Sequence, residues 1–565
     1  MVHQSYSTPT NLYFNGEGIV KSREGVQQGD PLGPFLFSLG ILQLMKSCDS
    51  PLSLWYLDDG TLAGDPTTVL QDLSKILEAS ESLGLVVNPT KCELFFPHNP
   101  TADLTAAEQQ VVAKFEEKAP GIHVLPAEKW TLLGAPLTQA AGEDVLCKKL
   151  EDLKLMSSRL EEIDAHDALF LLRNCFAIPK LTYFLRAAPF FKHQEILQQY
   201  DEQLRQSLQT ILNVTLEDDA WQQSTLPVTK GGLGIRLASD LSLPAFLASS
   251  FGAESVVTDL LPEDMQQDYQ ICLEAEERWK SLVNNNNEET QCPPSKAIQA
   301  AWDAPLCDLK YEYLLNSQSN EVDVARLRAV ASERASDWLH AVPIPSLGLK
   351  LDNTSIRIAC GLRLGSPLCH PHKCQCGTDV DKFGRHGLSC RSAEGRHSRH
   401  SQVNDLIKRA LGSAQVPAIR EPPGLSRQDG KRPDGLTLLP WDQGKSLVWD
   451  FTCCDTLASS HIPATSQEAG RAALKAEQKK LSHYEHLATT GYTVMPVAME
   501  TMGSWAPLGL KFIKAIGSRI TDIFGDRRST SFLFQAIGVA TQRGNAASIA
   551  GTVPSAKKLD ELYYL

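Results

Sequence analysis

The chain has 565 residues, 42% hydrophobic and 21% charged, with a formal net charge of −13. That length predicts three or four domains. The acidic balance excludes a uniformly basic nucleic-acid coat, and no run of about 18 apolar residues marks a membrane span. The start, Met1-Val2-His3-Gln4-Ser5, lacks a basic segment ahead of an apolar core, so no secretory signal is expected and the localisation is read as nuclear or cytoplasmic. Fourteen cysteines with one local cluster predict reduced thiols plus a metal site, not a disulfide framework.

The first informative stretch is Gln27-Gln28-Gly29-Asp30-Pro31-Leu32-Gly33-Pro34, a stiff glycine–proline turn opening into an apolar helix over Leu32–Leu44. The amides of that helix start, with Gln28, Gly29, Asp30 and Pro31 before them, suit a nucleotide or template strand. A strand-like run from Pro51 to Tyr56 then leads to Asp58-Asp59 on a tight turn. Two like charges held this close call for a counter-ion, and hard carboxylate oxygens suit magnesium. A helix over Thr67–Leu83 and another over Thr105–Ala119 follow.

These stretches resemble motifs B and C of reverse transcriptases, and Gly25–Pro34 resembles the version found in non-LTR retrotransposons. Leu83–Glu93 resembles motif D, which implies a role for Lys91 in proton transfer to leaving pyrophosphate. Trp130–Leu137 resembles the primer grip of motif E. The resemblance implies a second metal-binding aspartate, in motif A, more than fifty residues before motif B. Here 27 residues precede Gln28, and the carboxylates among them are Glu17 and Glu24. The expectation is an N-terminally truncated reverse transcriptase that does not polymerise by itself.

From Gly142 to Asn213 the apolar spacing is helical, as in Leu169–Phe176 and Tyr200–Leu212. The resemblance implies a thumb here. Leu226–Ile235 is a glycine-rich turn without the Lys-Ser/Thr ending of a phosphate loop. Asn284–Glu289, with Pro293-Pro294 beyond it, reads as a loop or linker.

Cys369, His370, His372, Cys374, Cys376, His386 and Cys390 crowd into 22 residues. Thiolates and imidazoles at close spacing suit tetrahedral zinc. The best four are Cys374, Cys376, His386 and Cys390, with Cys369, His370 or His372 open as a replacement for one of them. Such a closed site would be structural. The set resembles the Cys-Cys-His-Cys knuckle of non-LTR elements that carry a restriction-like endonuclease. From Ala341 to Pro440, 15 Lys and Arg stand against 8 Asp and Glu, a basic region within the acidic chain.

Beyond the knuckle, Arg396–Asp405 opens a helix to Leu411. Arg432-Pro433-Asp434-Gly435 leads a strand over Leu436–Trp441, a turn, and a second strand over Ser446–Cys454 containing Asp450. A carboxylate inside an apolar strand is costly unless paired or metal-bound. A hairpin would bring Asp434 and Asp450 close enough to share one magnesium. A long helix over Ser466–Thr489 carries Lys475, Lys479, Lys480 and Tyr484, and a strand over Tyr492–Glu500 follows. This order resembles the PD-(D/E)xK nucleases in the retrotransposon variant with its lysine on the helix. That implies Lys480 and Tyr484 as the lysine–tyrosine pair, although Thr452 stands where the usual pattern has lysine. Glu500 and Glu421 are weaker metal candidates.

The predicted architecture is therefore α/β and multidomain. A partial palm spans 1–140, a helical thumb 141–225, a helical linker region 226–345, a zinc knuckle region 346–400 and a PD-(D/E)xK-like α/β nuclease 401–565. The resemblance implies DNA and RNA as partners, magnesium at both carboxylate sites, and a parent polyprotein that nicks DNA, primes cDNA synthesis there and so integrates. The competing reading is a non-catalytic nucleic-acid-binding remnant or domesticated protein; a third is a scaffold built on the helical middle.

Overall fold

The computed structural model describes residues 3, 6–14, 18–23, 25–99, 103–261, 270–283, 292–293, 295–425 and 432–553. Glu17, Glu24 and the expected loop at 284–289 lie outside the described residues. The chain divides into two units, Met1–Val145 with Ala253–Gln270, and Leu146–Gly252 with Ile271–Leu565.

The first unit is built from short hairpins and helices. Strands β1 (Thr10–Phe14) and β2 (Gly18–Ser22) pair antiparallel. Helix α1 (Gly33–Lys46) starts with Pro34 in its first turn, where the missing N–H costs nothing, and buries Ile41 and Leu44. In the hairpin of β3 (Leu52–Tyr56) and β4 (Asp59–Ala63), Tyr56 pairs with Asp59. Leu57 and Asp58 are left as the turn, and Leu57 takes the positive φ of 58° that a tight hairpin turn demands. Asp58 is thus the tip, and Asp59 is already the first strand residue. Gly60 is required because a Cβ there would meet the Trp55 ring at 2.8 Å.

Helix α2 (Pro66–Ser82) is capped by Asp65 and carries Asp72 into the interior. Burial opposes the Asp72 charge. Bonds from the Ser50 hydroxyl, Lys75 and the amides of Asp49 and Ser50 outweigh it and hold the carboxyl well below its usual range. Asp72 thereby ties the segment leading into β3 onto α2. Strand β5 (Glu93–Leu94) precedes helix α3 (Ala106–Lys118), whose start is a reciprocal Thr105–Glu108 capping box. After β6 (His123–Val124), a tight hairpin of β7 (Thr131–Leu132) and β8 (Ala135–Pro136) turns at Leu133 and Gly134, both at positive φ.

The second unit is mostly helical. In α4 (Gln194–Leu212) the side chains of Leu197, Tyr200, Leu204, Leu208 and Leu212 are buried at three- and four-residue spacing. The stretch Ala165–Ala187, with mean hydropathy 1.2, passes for a membrane span by length and composition alone. It is broken, however, by a π turn at Leu172–Phe176 and a 3-10 turn at Ile178–Lys180. Leu169, Leu172 and Leu185 within it are buried in the protein.

His166 in this region is buried, and its Nδ1 accepts the Leu351 amide at 3.0 Å. Burial lowers its pKa to about 4. Between that value and the ordinary 6.5 the unfolded chain binds the extra proton, so stability falls as pH drops through this window. Acidification from pH 7 to 4 should cost about 3 kcal/mol through this residue. A shift of the urea midpoint that is smaller in His166→Gln than in wild type checks it; equal shifts would refute it.

The glycine-rich turn is closed on itself. A Cβ at Gly232 would lie 2.0 Å from the Leu226 carbonyl oxygen. Arg363, buried on α5 (Asn353–Leu364), donates to the Gly232 and Val228 carbonyls at 3.1 and 3.0 Å. The loop is a packing feature, with its polar groups spent internally.

The C-terminal part holds a four-stranded sheet in the order β11 (Ala418–Arg420), β12 (Gly435–Thr437), β13 (Leu447–Cys454), β14 (Thr493–Glu500). The first three are antiparallel neighbours, and β14 runs parallel to β13. Helix α6 (Glu394–Ser413) lies before the sheet in sequence, α7 (Arg471–His483) connects β13 to β14, and α8 (Pro507–Phe524) and α9 (Ser529–Ala550) follow. Val403, Ile407, Trp449, Phe451, Val497, Phe512, Ile516 and Phe534 form one core between sheet and helices.

Two expected elements are shorter than predicted. The strand over Leu436–Trp441 stops at Thr437, because Leu438 and Leu439 are exposed and Trp441 closes a turn onto the Lys445 carbonyl. The helix over Ser466–Thr489 begins only after Gly470, at φ 83°, and breaks at Tyr484, whose ring is buried with Val448 and Leu487.

Candidate functional site

The β12–β13 register pairs Gly435 with Trp449, which sets Asp434 beside Asp450 across the hairpin. Gly435 is required there, since a Cβ would lie 2.0 Å from the Trp449 indole. Gly435→Ala should therefore displace Trp449 from the core and cost about 3 kcal/mol or more. A loss below 1 kcal/mol in urea denaturation would contradict this packing.

Asp450 is almost fully buried in β13, at 6% exposure, and accepts from Lys480 Nζ at 2.8 Å. Burial raises its pKa, as does the neighbouring Asp434 charge, against the pull of Lys480 and of a hydrogen bond from Tyr484. Asp434 is also desolvated, yet His400, the Phe451 amide and Asn404 hold its carboxyl below its ordinary value. The Phe451 amide donates to Asp434 Oδ2 at 2.7 Å, and His400 Nε2 lies 3.1 Å from the same oxygen. The hydrogen bond to Asp434 raises the His400 pKa against the effect of burial. The His400 and Lys480 side chains remain 42% and 30% exposed, so the pair of carboxylates has an open side.

The structure thus brings together Asp434, Asp450, Lys480 and Tyr484. It adds His400 and Asn404, which stand one helical turn apart on α6. Asn404 is fixed by the Trp449 indole N–H at 2.9 Å. Sequence reasoning missed both. The available signal was the four-residue spacing of His400 and Asn404 ahead of a strand pair, which is weak by itself.

Glu421 donates its amide to the Asp434 carbonyl at 2.8 Å, and Glu500 leaves Oε2 buried without a hydrogen-bond partner. Glu500 Oε1 accepts the Ala472 and Ala473 amides at the start of α7, at 2.9 and 3.2 Å, and so serves as a helix cap. Glu421 is exposed and pairs with Arg432. Lys475 and Lys479 are exposed on α7.

Cys374, Cys376, His386 and Cys390 place one ligand atom each within 4.8 Å of all the others, a group that could hold a metal ion. A short hairpin of β9 (His372–Lys373) and β10 (Asp379–Val380) supplies the first two, with Gly377 at φ 88° in the turn. His386 and Cys390 come from successive ends of one helical turn, which the Cys390 amide closes onto the His386 carbonyl. Cys374 Sγ lies 3.7 Å from Cys390 Sγ, and Cys376 Sγ lies 3.2 Å from His386 Nε2. Burial pushes the Cys374 thiol up to about 11, whereas the Thr378 hydroxyl draws Cys376 down to about 6. The open alternatives close: Cys369 donates to the Asp381 carbonyl, His372 is engaged by the His370 carbonyl and the Thr552 hydroxyl, and neither these nor His370 joins the group.

In the first unit, Asp58 and Asp59 are exposed at the β3–β4 turn, and Lys91 is exposed in the 3-10 turn Pro89–Lys91. Gln28, Gly29 and Pro31 are exposed, while Asp30 bonds the Tyr6 hydroxyl and accepts the Leu32 amide at 2.9 Å. Among the described residues, Asp58 and Asp59 gather no third carboxylate, histidine or cysteine.

Residues 2–137 match the reverse transcriptase (RNA-dependent DNA polymerase) family. Over 495 residues, 86% of the chain, the sequence is 23% identical to the 132 kDa protein of retrotransposable element SLACS from Trypanosoma brucei gambiense, spanning 36% of that protein. Over 236 residues, 39% of the chain, it is 28% identical to the retrovirus-related Pol polyprotein from type-2 retrotransposable element R2DM of Drosophila melanogaster, spanning 22% of it. The family match covers every one of the motif-like stretches from Gly25 to Leu137, and the SLACS similarity runs through most of the helical and C-terminal regions as well. Residues 2–137 are thus reverse transcriptase-like, and the chain, which spans about a third or less of these relatives' lengths, is similar over most of its own length to a retrotransposable-element protein.

Proposed function

We propose that residues 401–565 form a magnesium-dependent DNA-nicking domain joined to the reverse transcriptase region. The observation that carries this is the facing pair Asp434 and Asp450 with Lys480 Nζ 2.8 Å from Asp450. Two desolvated carboxylates side by side repel, and an all-oxygen donor pair with an open side fits a hard divalent cation. Asp434 and Asp450 would hold it. When bound, magnesium would lower the pKa of a coordinated water and polarise the phosphodiester. Lys480 stabilises negative charge developing on the phosphate, while Tyr484 and His400 orient Asp450 and Asp434. Cys374, Cys376, His386 and Cys390 would hold zinc: two thiolates on one tetrahedral zinc stand about 3.8 Å apart, close to the spacing of Cys374 and Cys390.

For the first unit, Asp58 and Asp59 would bind magnesium and Lys91 would donate a proton to pyrophosphate. A two-metal clamp needs a further carboxylate, and none joins them among the described residues. Asp58 and Asp59 would not by themselves hold both metals. Nuclear or cytoplasmic residence, with DNA and RNA as partners, follows from the same reading.

One observation favours a non-catalytic binding remnant instead. Lys480 already neutralises Asp450, so the site is satisfied without a metal. Incubating the whole chain with supercoiled plasmid, with and without magnesium, separates the two. Open-circle product only with magnesium supports the nuclease; none from folded, zinc-loaded protein sinks it.

A further inference from the structure

The two-stranded sheet of β1 and β2 is apolar on both faces and covered on neither. Leu12 pairs with Val20 and Tyr13 with Ile19, and all four side chains are more than half exposed. Among the described residues no third strand joins this sheet, so both edges carry unpaired backbone groups. An isolated two-stranded hairpin is marginal in water. This one is nevertheless tied down. The Gln27 side chain donates to the Thr10 hydroxyl at 2.9 Å, and the Tyr6 hydroxyl donates to Asp30 and accepts the Gln27 amide. Those bonds hold the hairpin to the turn that opens α1.

Helix α1 shows the same excess of apolar surface. Ile41 and Leu44 are buried on one face, while Phe35 and Leu39, on the opposite face, are 61% and 49% exposed. A helix that is apolar all round is one built to be covered on both sides. If covered, the six exposed side chains of hairpin and helix would hide on the order of 700 Å² per copy, close to the roughly 800 Å² per partner of a stable interface. The two edges of the hairpin differ in charge. Strand β1 carries none, whereas β2 carries Lys21 and is followed by Arg23, both exposed. Cations on an edge deter strand addition.

We infer that this surface is a homodimer interface, in which β1 pairs antiparallel with β1 of a second copy of the chain across a two-fold axis at Leu12, the exposed face of α1 completing the contact. The uncharged strand brings no like charges together. The joined four-stranded sheet ends on the two β2 edges, whose cations oppose further addition, so assembly closes at two.

Light scattering should give the whole chain twice its monomer mass at micromolar concentration. Leu12→Lys sets two like charges at the axis and should weaken association at least tenfold. Its circular dichroism should stay unchanged, because the replaced side chain is exposed. On the axis the Leu12 Cα would stand about 4.5–5.5 Å from its copy, within disulfide reach. Thr10 would stand about 13 Å from its own. Mild oxidation should therefore link Leu12→Cys into a dimer, mapped to that residue by mass spectrometry, and leave Thr10→Cys at the background of the native cysteines. A monomeric wild type would overturn the assignment and give the surface to a different polypeptide. Association unchanged in Leu12→Lys, or equal linking of the two cysteine variants, would overturn it as well.

Discussion

Asp450→Ala is expected to abolish magnesium-dependent nicking of supercoiled plasmid, by about 10³-fold or more. Asp434→Ala should do the same, because the hairpin register sets these two carboxylates side by side and each supplies half of the donor pair. The two variants should differ in stability. Asp434 accepts the Phe451 amide, so its loss leaves a strand N–H without its partner. Asp450→Ala removes a desolvated charge and leaves Lys480, which is partly exposed, to reach water. The pH dependence follows from the directions of the shifts. Asp450 must be ionised to hold a cation, and burial raises its pKa. The acid limb of nicking should therefore lie above the ordinary aspartate value of about 3.9. In His400→Ala, Asp434 loses the side chain that lies 3.1 Å from its Oδ2 and holds it in place, so the rate at neutral pH should fall by about tenfold through lost orientation. Unchanged nicking in both aspartate variants would remove the hairpin from the chemistry.

The carboxylate pair was legible in the sequence because its signal is local. Arg432-Pro433-Asp434-Gly435 announces a turn into a strand, and an aspartate interrupting Val448–Phe451 must face something that repays its desolvation. Gly435 was read only as part of that turn; its packing reason, the Trp449 indole lying over it, needs the cross-strand register. His400 was illegible for the same reason. It lies 34 positions before Asp434 on a different element, and a histidine in Arg396–Ser401 reads equally well as a solvated helix face. At Tyr484 tertiary packing overrides helical propensity: the run to Thr489 has good helical composition, but the ring is worth more against Val448 and Leu487 than on a continuous helix. In the first unit, motif order revealed the reverse transcriptase region more readily than any local physics, since Asp58 and Asp59 alone are an exposed turn and strand start.

On the proposal that Cys374, Cys376, His386 and Cys390 hold zinc, its removal should have the largest effect on stability. Structural zinc sites contribute roughly 10–16 kcal/mol of apparent binding free energy, and the segment from Cys369 to Cys390 has only a small core of its own, in which Cys374 and Cys390 are themselves two of the four candidate ligands. Its regular structure is limited to two-residue strands and one helical turn. The consequence should spread beyond the knuckle, because α9 is threaded against it. Gly384, Gly387 and Gly395 each leave room for the backbone or side chain of Ser548 or Ile549, where a Cβ would approach within 2.9 Å. His372 Nε2 also meets the Thr552 hydroxyl at 3.0 Å. The other end of α9 carries Phe534 and Ile537 into the core shared with β13. A metal-free knuckle therefore frees one end of a helix whose other end supports the strand carrying Asp450. Stripping the purified chain with a chelator should lower the melting temperature of the C-terminal part by about 10 °C, the shift expected for some 4 kcal/mol of lost ligand stabilisation. Zinc should restore it and magnesium should not. Cys376→Ser is the clean variant: the side chain is exposed, so the substitution leaves the core untouched while removing one ligand. It should bind zinc at least a hundredfold more weakly and melt, even with zinc present, as the stripped wild type does. A wild-type chain that carries no zinc as purified and melts identically with and without it would make these four residues an ordinary thiol-rich loop.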